Sequence, residues 1–239
     1  MFRHRGKNRT YFHNLKLASL LSFVAGTVNI VGVLSIKVLT TNITGHFAFF
    51  SEEVVLKDYY AAVVYLLFIA CFLLGAFCSS LLVEFVSGFR KIRSHLIPLL
   101  IEIFILCFIG LSADLKIAIS PNTIACLLLF AMGLQNSLVT RVSRSVVRTT
   151  HLTGIFTDLG IEMSKLFFYR KGIVYNHLKK SIMLKIVIVL CFFSGGVTGG
   201  FIYEAFRLKT LLFSVGVLFF VIWYDRILYR YYVLKRKLR

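Results

Sequence analysis

The sequence predicts an all-α polytopic membrane protein, and three observations predict it. The chain of 239 residues is 58% hydrophobic, has a mean hydropathy of +0.83 and contains only two prolines. Several of its apolar runs approach or exceed the roughly 18–20 residues that cross a bilayer core as helix. A six-residue phrase also occurs twice, each time after an apolar run. Within lipid every backbone group must find its partner internally, which for runs of this length leaves helices.

The phrase is Thr-Thr-x-x-Thr-Gly, once from Thr40 through Thr41 and Thr44 to Gly45, and again from Thr149 through Thr150 and Thr153 to Gly154. The segment before the first carries Phe23, Gly26 and Asn29; the segment before the second carries Phe130, Gly133 and Asn136 at the same spacing. Eight residues beyond each final glycine stands a glutamate, Glu53 or Glu162. Shared flanks of this kind point to a duplicated unit rather than a coincidence of composition.

The elements follow in order. Residues 1–16 are basic, with Arg3, Arg5, Lys7, Arg9 and Lys16 and no acid. They lead into a first span from about Leu17 to Leu34 or Val38, read as a retained helix because no small-residue cleavage site follows. His46 to Lys57 is too short and polar to span and fits an interfacial or re-entrant helix. The second span covers about Tyr59 to Val86, and a basic turn with Arg90, Lys91 and Arg93 leads to the third, about Leu96 to Ala113. Pro121 suits the first turn of the fourth span, about Asn122 to Thr140. Beyond the second phrase, Ile155, Leu159, Met163 and Leu166 recur at helical spacing opposite Asp158, Glu162 and Lys165, predicting an amphipathic helix. A basic linker from Arg170 to Lys185 precedes the fifth span, about Ile186 to Phe206, and the sixth runs from about Thr210 to Leu228.

The formal charge of +18 is an orientation signal. Of the 28 Lys and Arg, only Lys37, Lys57, Lys116, Arg207 and Lys209 fall in the alternate loops. The rest lie on one side, so both termini are expected in the cytoplasm, with six spans. Anionic lipid headgroups on that side are the expected neighbours of the positive charge, and nucleic acid is not an expected partner. The five cysteines (Cys71, Cys78, Cys107, Cys126, Cys191) all fall inside apolar segments without metal-ligand spacing, so neither zinc nor a disulfide framework is indicated.

The duplication extends further. Cys71, Phe72, Gly75 and Glu84 in the second span match Cys191, Phe192, Gly195 and Glu204 in the fifth. One integral membrane domain, 1–239, therefore comprises a first repeat of about 17–113, a second of about 121–228 and basic cytoplasmic tails. Three spans per unit is odd, so the second unit enters the membrane from the opposite face. Such inverted-topology repeats are common in secondary transporters, with the solute site between the halves.

Gly26-x-x-Asn29, Thr44-Gly45, the run Gly133-Leu134-Gln135-Asn136 and the run from Arg148 to Gly154 (Arg-Thr-Thr-His-Leu-Thr-Gly) resemble the YoaK family. This is a family of bacterial inner-membrane proteins grouped under a domain of unknown function. The resemblance covers nearly the whole chain and implies a six-helix protein of the bacterial inner membrane. It brings no established reaction or substrate. A common family form has Asn after the first Thr-Gly, where this chain has His46.

Glu102 is the most costly side chain, because an ionised carboxylate at the bilayer centre costs about 3 kcal/mol or more on insertion scales. It is a candidate proton carrier, or else a protonated Glu bonded to a neighbouring helix, with Asn29 or Asn136 as partner. Asn29, Gln135 and Asn136 are candidates to line a cavity, or interhelical glue worth roughly 0.6 kcal/mol each. Thr41, Thr44, Gly45, Thr150, Thr153 and Gly154 have two readings. Hydroxyl residues before glycine suit the N-cap of a following helix; alternatively each phrase breaks a discontinuous element whose helix N-terminus faces a solute. Arg148, with Arg141 and Arg144, is an orientation signal or an anion site. The glycines of the second and fifth spans suit close helix packing.

The leading functional expectation is a small-solute secondary transporter or permease, with a proton as the expected coupling ion and Asn29, Asn136 and Glu102 lining its centre. A non-transporting scaffold, sensor or partner subunit is the rival. An enzyme is a distant third, since the sequence offers no nucleophile–base pair, phosphate loop or nucleotide fingerprint, and it implies no cofactor or metal. The bilayer and a small solute are the expected partners, and a homo-oligomer stays open.

Overall fold

The computed structural model describes residues 11–87, 95–143, 147 and 149–237, apart from the side chains of 13 and 228–237. Among these the chain is helical: α1 Tyr11–Ile36, α2 Ile43–Val55, α3 Tyr59–Ser87, α4 Leu96–Leu111, α5 Pro121–Ser143, α6 Leu152–Phe168, α7 Ile173–Phe206 and α8 Thr210–Lys237, with a 3-10 turn at Arg207–Lys209. Four stretches are long and apolar enough to cross a membrane: Asn14–Ile36, Tyr59–Val86, Pro121–Ser143 and Ile173–Ile227, the last holding both α7 and α8. Leu96–Leu111 is apolar but shorter, at 16 residues. These are the features of a helical membrane protein.

The helix starts are capped as their residues dictate. Asp58 accepts from the amide of Ala61 at 3.0 Å before α3, and Ser120 from that of Thr123 at 3.2 Å before α5, satisfying donors that a helix start leaves open. Pro121 is the first residue of α5, where its missing N–H costs nothing. The helix ends are less usual. Lys37, Lys57, Lys116 and Arg207 have φ of 57°, 62°, 52° and 51°, a left-handed conformation that helix ends ordinarily assign to glycine. After Lys57 the amide of Asp58 bonds the carbonyl of Glu53 at 3.0 Å, and after Lys116 that of Ile117 bonds Ser112 at 2.9 Å. Four of the five cations that the charge count sets on the minority side thus stand at the reversals that end helices.

Three helix boundaries differ from the sequence expectation. The stretch from Arg170 to Lys185, expected as a linker, is helical from Ile173, so α7 is 34 residues long. No proline or glycine interrupts 173–186, and Lys185 is anchored to Glu162 at 2.6 Å and Asp158 at 3.5 Å on α6. Likewise α1 begins at Tyr11 rather than Leu17, and α8 continues to Lys237.

The packing pairs the first long helix of each repeat with the second long helix of the other: α1 with α7, and α3 with α5. A Cβ on Gly26 would fall on the carbonyl of Phe192, one on Gly195 on that of Phe23, one on Gly133 on that of Phe72, and one on Gly75 on that of Phe130. These reciprocal approaches leave no room for a side chain, and small residues of this kind let helices associate where water supplies no hydrophobic drive. Thr27 Oγ1, on the same seam, also donates to the Gly195 carbonyl at 3.0 Å. Phe23 lies against Gly195 and Ile30 against Gly199, so α1 and α7 run in one direction. Phe72 against Gly133 and Ser80 bonded to Arg141 show the same for α3 and α5. Gly110 against Leu212 and His95 near Asp225 make α4 and α8 antiparallel. Helices α4 and α8 close the bundle, α4 also on α5 and α8 also on α1, while α2 lies on α3 and α6 on α7.

Candidate functional site

The first Thr-Thr phrase is shaped by the reversal at Lys37. The chain folds back so that Thr40 and the Val38 carbonyl pack on Gly32, and Thr41 Oγ1 donates to Asn29 Oδ1 at 3.0 Å. Asn29 lies seven residues before the end of α1 at Ile36, roughly 10 Å along the axis at 1.5 Å per residue. The phrase therefore returns about two helical turns toward the middle of α1 before α2 begins.

The cap of each following helix falls between the threonines and not on one of them. Asn42 is the N-cap of α2, and its Oδ1 accepts from the amide of Gly45 at 3.1 Å. A Cβ on Gly45 would meet that same side chain at 2.8 Å, and one on Gly154 would strike the ring of His151, the N-cap of α6. The glycine ending each phrase leaves room for the side chain of the N-cap residue three positions earlier, although only Asn42 makes a side-chain cap bond and His151 does not. Thr44 and Thr153 are exposed, Thr150 is half-buried, and Thr40 and Thr149 are wholly buried. Arg148 lies outside the described residues, as do Arg144 and the basic turn at 90, 91 and 93.

Asn29 lines a groove of about 710 Å³ between α1, α6 and α7, together with Leu34, Phe156, Phe192, Gly200 and Glu204. Neither Asn136 nor Glu102 lines it, so this groove does not bring the three residues together. Gln135, on α5, donates from Nε2 to the Leu21 carbonyl of α1 at 2.9 Å and ties the two helix pairs together. Asn136 Oδ1 and Gln135 Oε1 are buried without a hydrogen-bond partner among the described residues. Leu21 precedes Asn29 by eight residues, about 12 Å of helix, so Asn29 and Asn136 stand at different levels of the bundle. Glu102 is wholly buried on α4, and both its carboxyl oxygens lack a partner among the described residues. Neither Asn29 nor Asn136 bonds it.

Sequence reasoning missed three polar contacts. His95 and Asp225, 4% and 2% exposed, bring Nε2 and Oδ2 to 3.7 Å at the end of the bundle where α4 starts. Lys185 is held by Glu162 and Asp158, and Ser181 Oγ donates to Glu162 Oε1 at 2.8 Å. Arg141 pairs with Glu84 and bonds the Ser80 carbonyl and hydroxyl at 3.2 and 3.0 Å. Each partner lies on a helix remote in sequence, so residue type alone gave no pairing. His46, the departure from the family form, is buried with Nε2 at 2.8 Å from the Leu39 carbonyl. Desolvation pushes its pKa below the ordinary 6.5, with the Leu39 bond opposing.

With this geometry in hand, comparison with known proteins adds one finding. No curated protein and no solved structure matches the chain. A family model described as Protein of unknown function (DUF1275) matches residues 17–224, spanning both copies of the phrase, the groove and the Glu102 helix. The chain belongs to that family.

Proposed function

We propose that this protein is a small-solute secondary transporter of the bacterial inner membrane, crossing it six times as two inverted three-helix halves. One observation carries the reading: a hydroxyl-rich break returns to mid-helix Asn29 on the wall of a solute-sized groove. Irregular backbone at membrane depth is tolerated where it lines a cavity or is covered by protein, and discontinuous elements of this kind form transporter sites. The helix directions support the topology. A chain crossing six times runs its first, third and fifth spans one way and the others back, which makes α1 parallel to α7, α3 parallel to α5, and α4 antiparallel to α8. Single cysteines at 57, 116 and 209, on a background without the native cysteines, are expected to label from outside and one at 170 from inside.

Glu102 is the proposed proton carrier, since a buried carboxyl with no partner stores or releases a proton without breaking a hydrogen bond. In proteoliposomes with an internal pH dye, the intact protein is expected to show solute-dependent proton flux that Glu102→Gln removes. Flux unchanged in that variant sinks the coupling role; no flux for any solute class favours the rival. That rival, a non-transporting scaffold, draws on the glycine seams, which join the two repeats backbone to backbone. Transport with these seams intact requires the moving bodies to be α1 with α7 against α3 with α5, not one repeat against the other.

A further inference from the structure

The two repeats place a glutamate at the same position and neutralise only one of them. Glu84 and Glu204 each stand nine residues beyond the seam glycine, Gly75 or Gly195. Glu84 is paired by Arg141, which also bonds Ser80. Arg141 lies five residues beyond Asn136, and the residue five beyond Asn29 is Leu34. Ser80 lies five beyond Gly75, and the residue five beyond Gly195 is Gly200. The α1–α7 pair has neither the cation nor the serine at these places. Leu34, Gly200 and Glu204 all line the 710 Å³ groove, so the groove lies where the arginine stands in the α3–α5 pair.

Among the described residues no cation pairs with Glu204. The nearest cations in sequence are engaged elsewhere: Lys209 Nζ pairs with Asp114 at 2.8 Å, and the Arg207 guanidinium sits 5.8 Å from the centre of the Tyr203 ring. Glu204 forms no ion pair with any described residue. The groove is also lined by Phe156, Phe192, Phe193 and Phe201 and by Asn29. A carboxylate in a groove lined by aromatic rings is complementary to a cation with apolar substituents, which gains both the charge contact and the ring faces.

We propose that this groove binds a lipophilic organic monocation, its charge at Glu204 in the place of the missing arginine and its apolar groups among the phenylalanines. This names a solute class for the permease proposed above and rests on that reading for transport, but not for binding.

The test is equilibrium binding of labelled tetraphenylphosphonium to the full-length protein in lipid nanodiscs, with empty nanodiscs subtracted and uncharged triphenylphosphine oxide as competitor. Saturable binding at one site per chain is expected. Glu204→Gln is expected to weaken it roughly tenfold or more, the scale of one charge-assisted contact. Leu34→Arg, which restores the pairing seen at Glu84, is expected to weaken it as much, and the neutral competitor to displace the cation only at far higher concentration. Unchanged affinity in Glu204→Gln, equal competition by the neutral compound, or no saturable binding overturns the proposal. Where Leu34→Arg fails to fold, Glu204→Gln and the competitor decide. Binding that depends on Glu204 without any flux counts against transport alone. Flux of another solute with Glu204-independent binding counts against this site alone.

Discussion

Helices α2 and α6 dock at equivalent places by different chemistry. Tyr65 and Lys185 each stand six residues before the cysteine of their repeat's Cys-Phe-x-x-Gly motif, and Glu53 and Glu162 stand at the same place past their Thr-Gly. On α3, Tyr65 stacks on Phe49 of α2 at 5.3 Å and meets Phe68 edge-on, with the buried His46 ring 5.6 Å from Phe68. On α7, Lys185 instead grips Glu162 and Asp158 of α6. One docking is aromatic and the other ionic, while the glycine seams beneath them are alike. The backbone approaches are alike in the two helix pairs, where a single added carbon has nowhere to go, and the side chains that hold the amphipathic helices differ.

The largest expected effect lies in what the halves share. Gly195→Ala and Gly75→Ala place a carbon on an opposing carbonyl, and each is expected to destabilise by roughly 3 kcal/mol, the upper range for overpacking. Gly216→Ala, where a Cβ meets nothing within 4 Å, is expected to be neutral or slightly stabilising by helix propensity. Thermal unfolding in one detergent checks all three. Unequal losses at Gly75 and Gly195 would break the equivalence of the seams.

Next comes the ionic docking. Lys185→Ala leaves Glu162, whose side chain is 18% exposed, without its cation. Removing one partner of a fully buried pair costs about 3–5 kcal/mol, and partial exposure here reduces that to roughly 2 kcal/mol. Faster amide exchange in α6 with α2 unchanged is the expected signature; loosening of both helices would show that the dockings are not independent.

The aromatic docking carries a pH dependence through the buried His46 ring. His46 has a folded pKa below its unfolded value because burial disfavours the charged ring. The unfolded chain then binds more protons, so stability rises with pH through this interval. The contribution is present above about 6.5 and is lost as pH falls toward the lower folded value. His46→Asn is expected to flatten the melting temperature between pH 5 and 7, an effect smaller than that of Lys185→Ala. A wild-type slope that survives the substitution would assign the dependence to another group.

What the sequence made legible follows the same division. The phrases, the matched Phe-x-x-Gly-x-x-Asn and Cys-Phe-x-x-Gly motifs and the helix count could be read because packing against a backbone demands a residue type at a spacing. The extension of α7 back to Ile173 could not, because lysines that signal a loop by charge are also good helix formers. Asn29, Asn136 and Glu102 were expected around one centre because all three are polar in apolar runs. Polarity gives depth in a membrane but not azimuth around the bundle, and the groove admits Asn29 alone.

The smallest expected effect separates the two glutamates. Arg141→Leu gives the α3–α5 pair the residue that the α1–α7 pair has at Leu34, and it removes the pairing with Glu84 and the bonds to Ser80. The Glu84 side chain is 68% exposed and that of Arg141 34%, so water screens the pair and the loss is expected to be about 1 kcal/mol or less. The pairing is then a local closure of the α3–α5 seam rather than a support of the fold. Its absence opposite Leu34 costs the α1–α7 pair little stability, which leaves room there for a groove with an unneutralised carboxylate. A loss well above 1 kcal/mol would mean that the arginine holds the seam together and that the α1–α7 pair is stabilised in some other way.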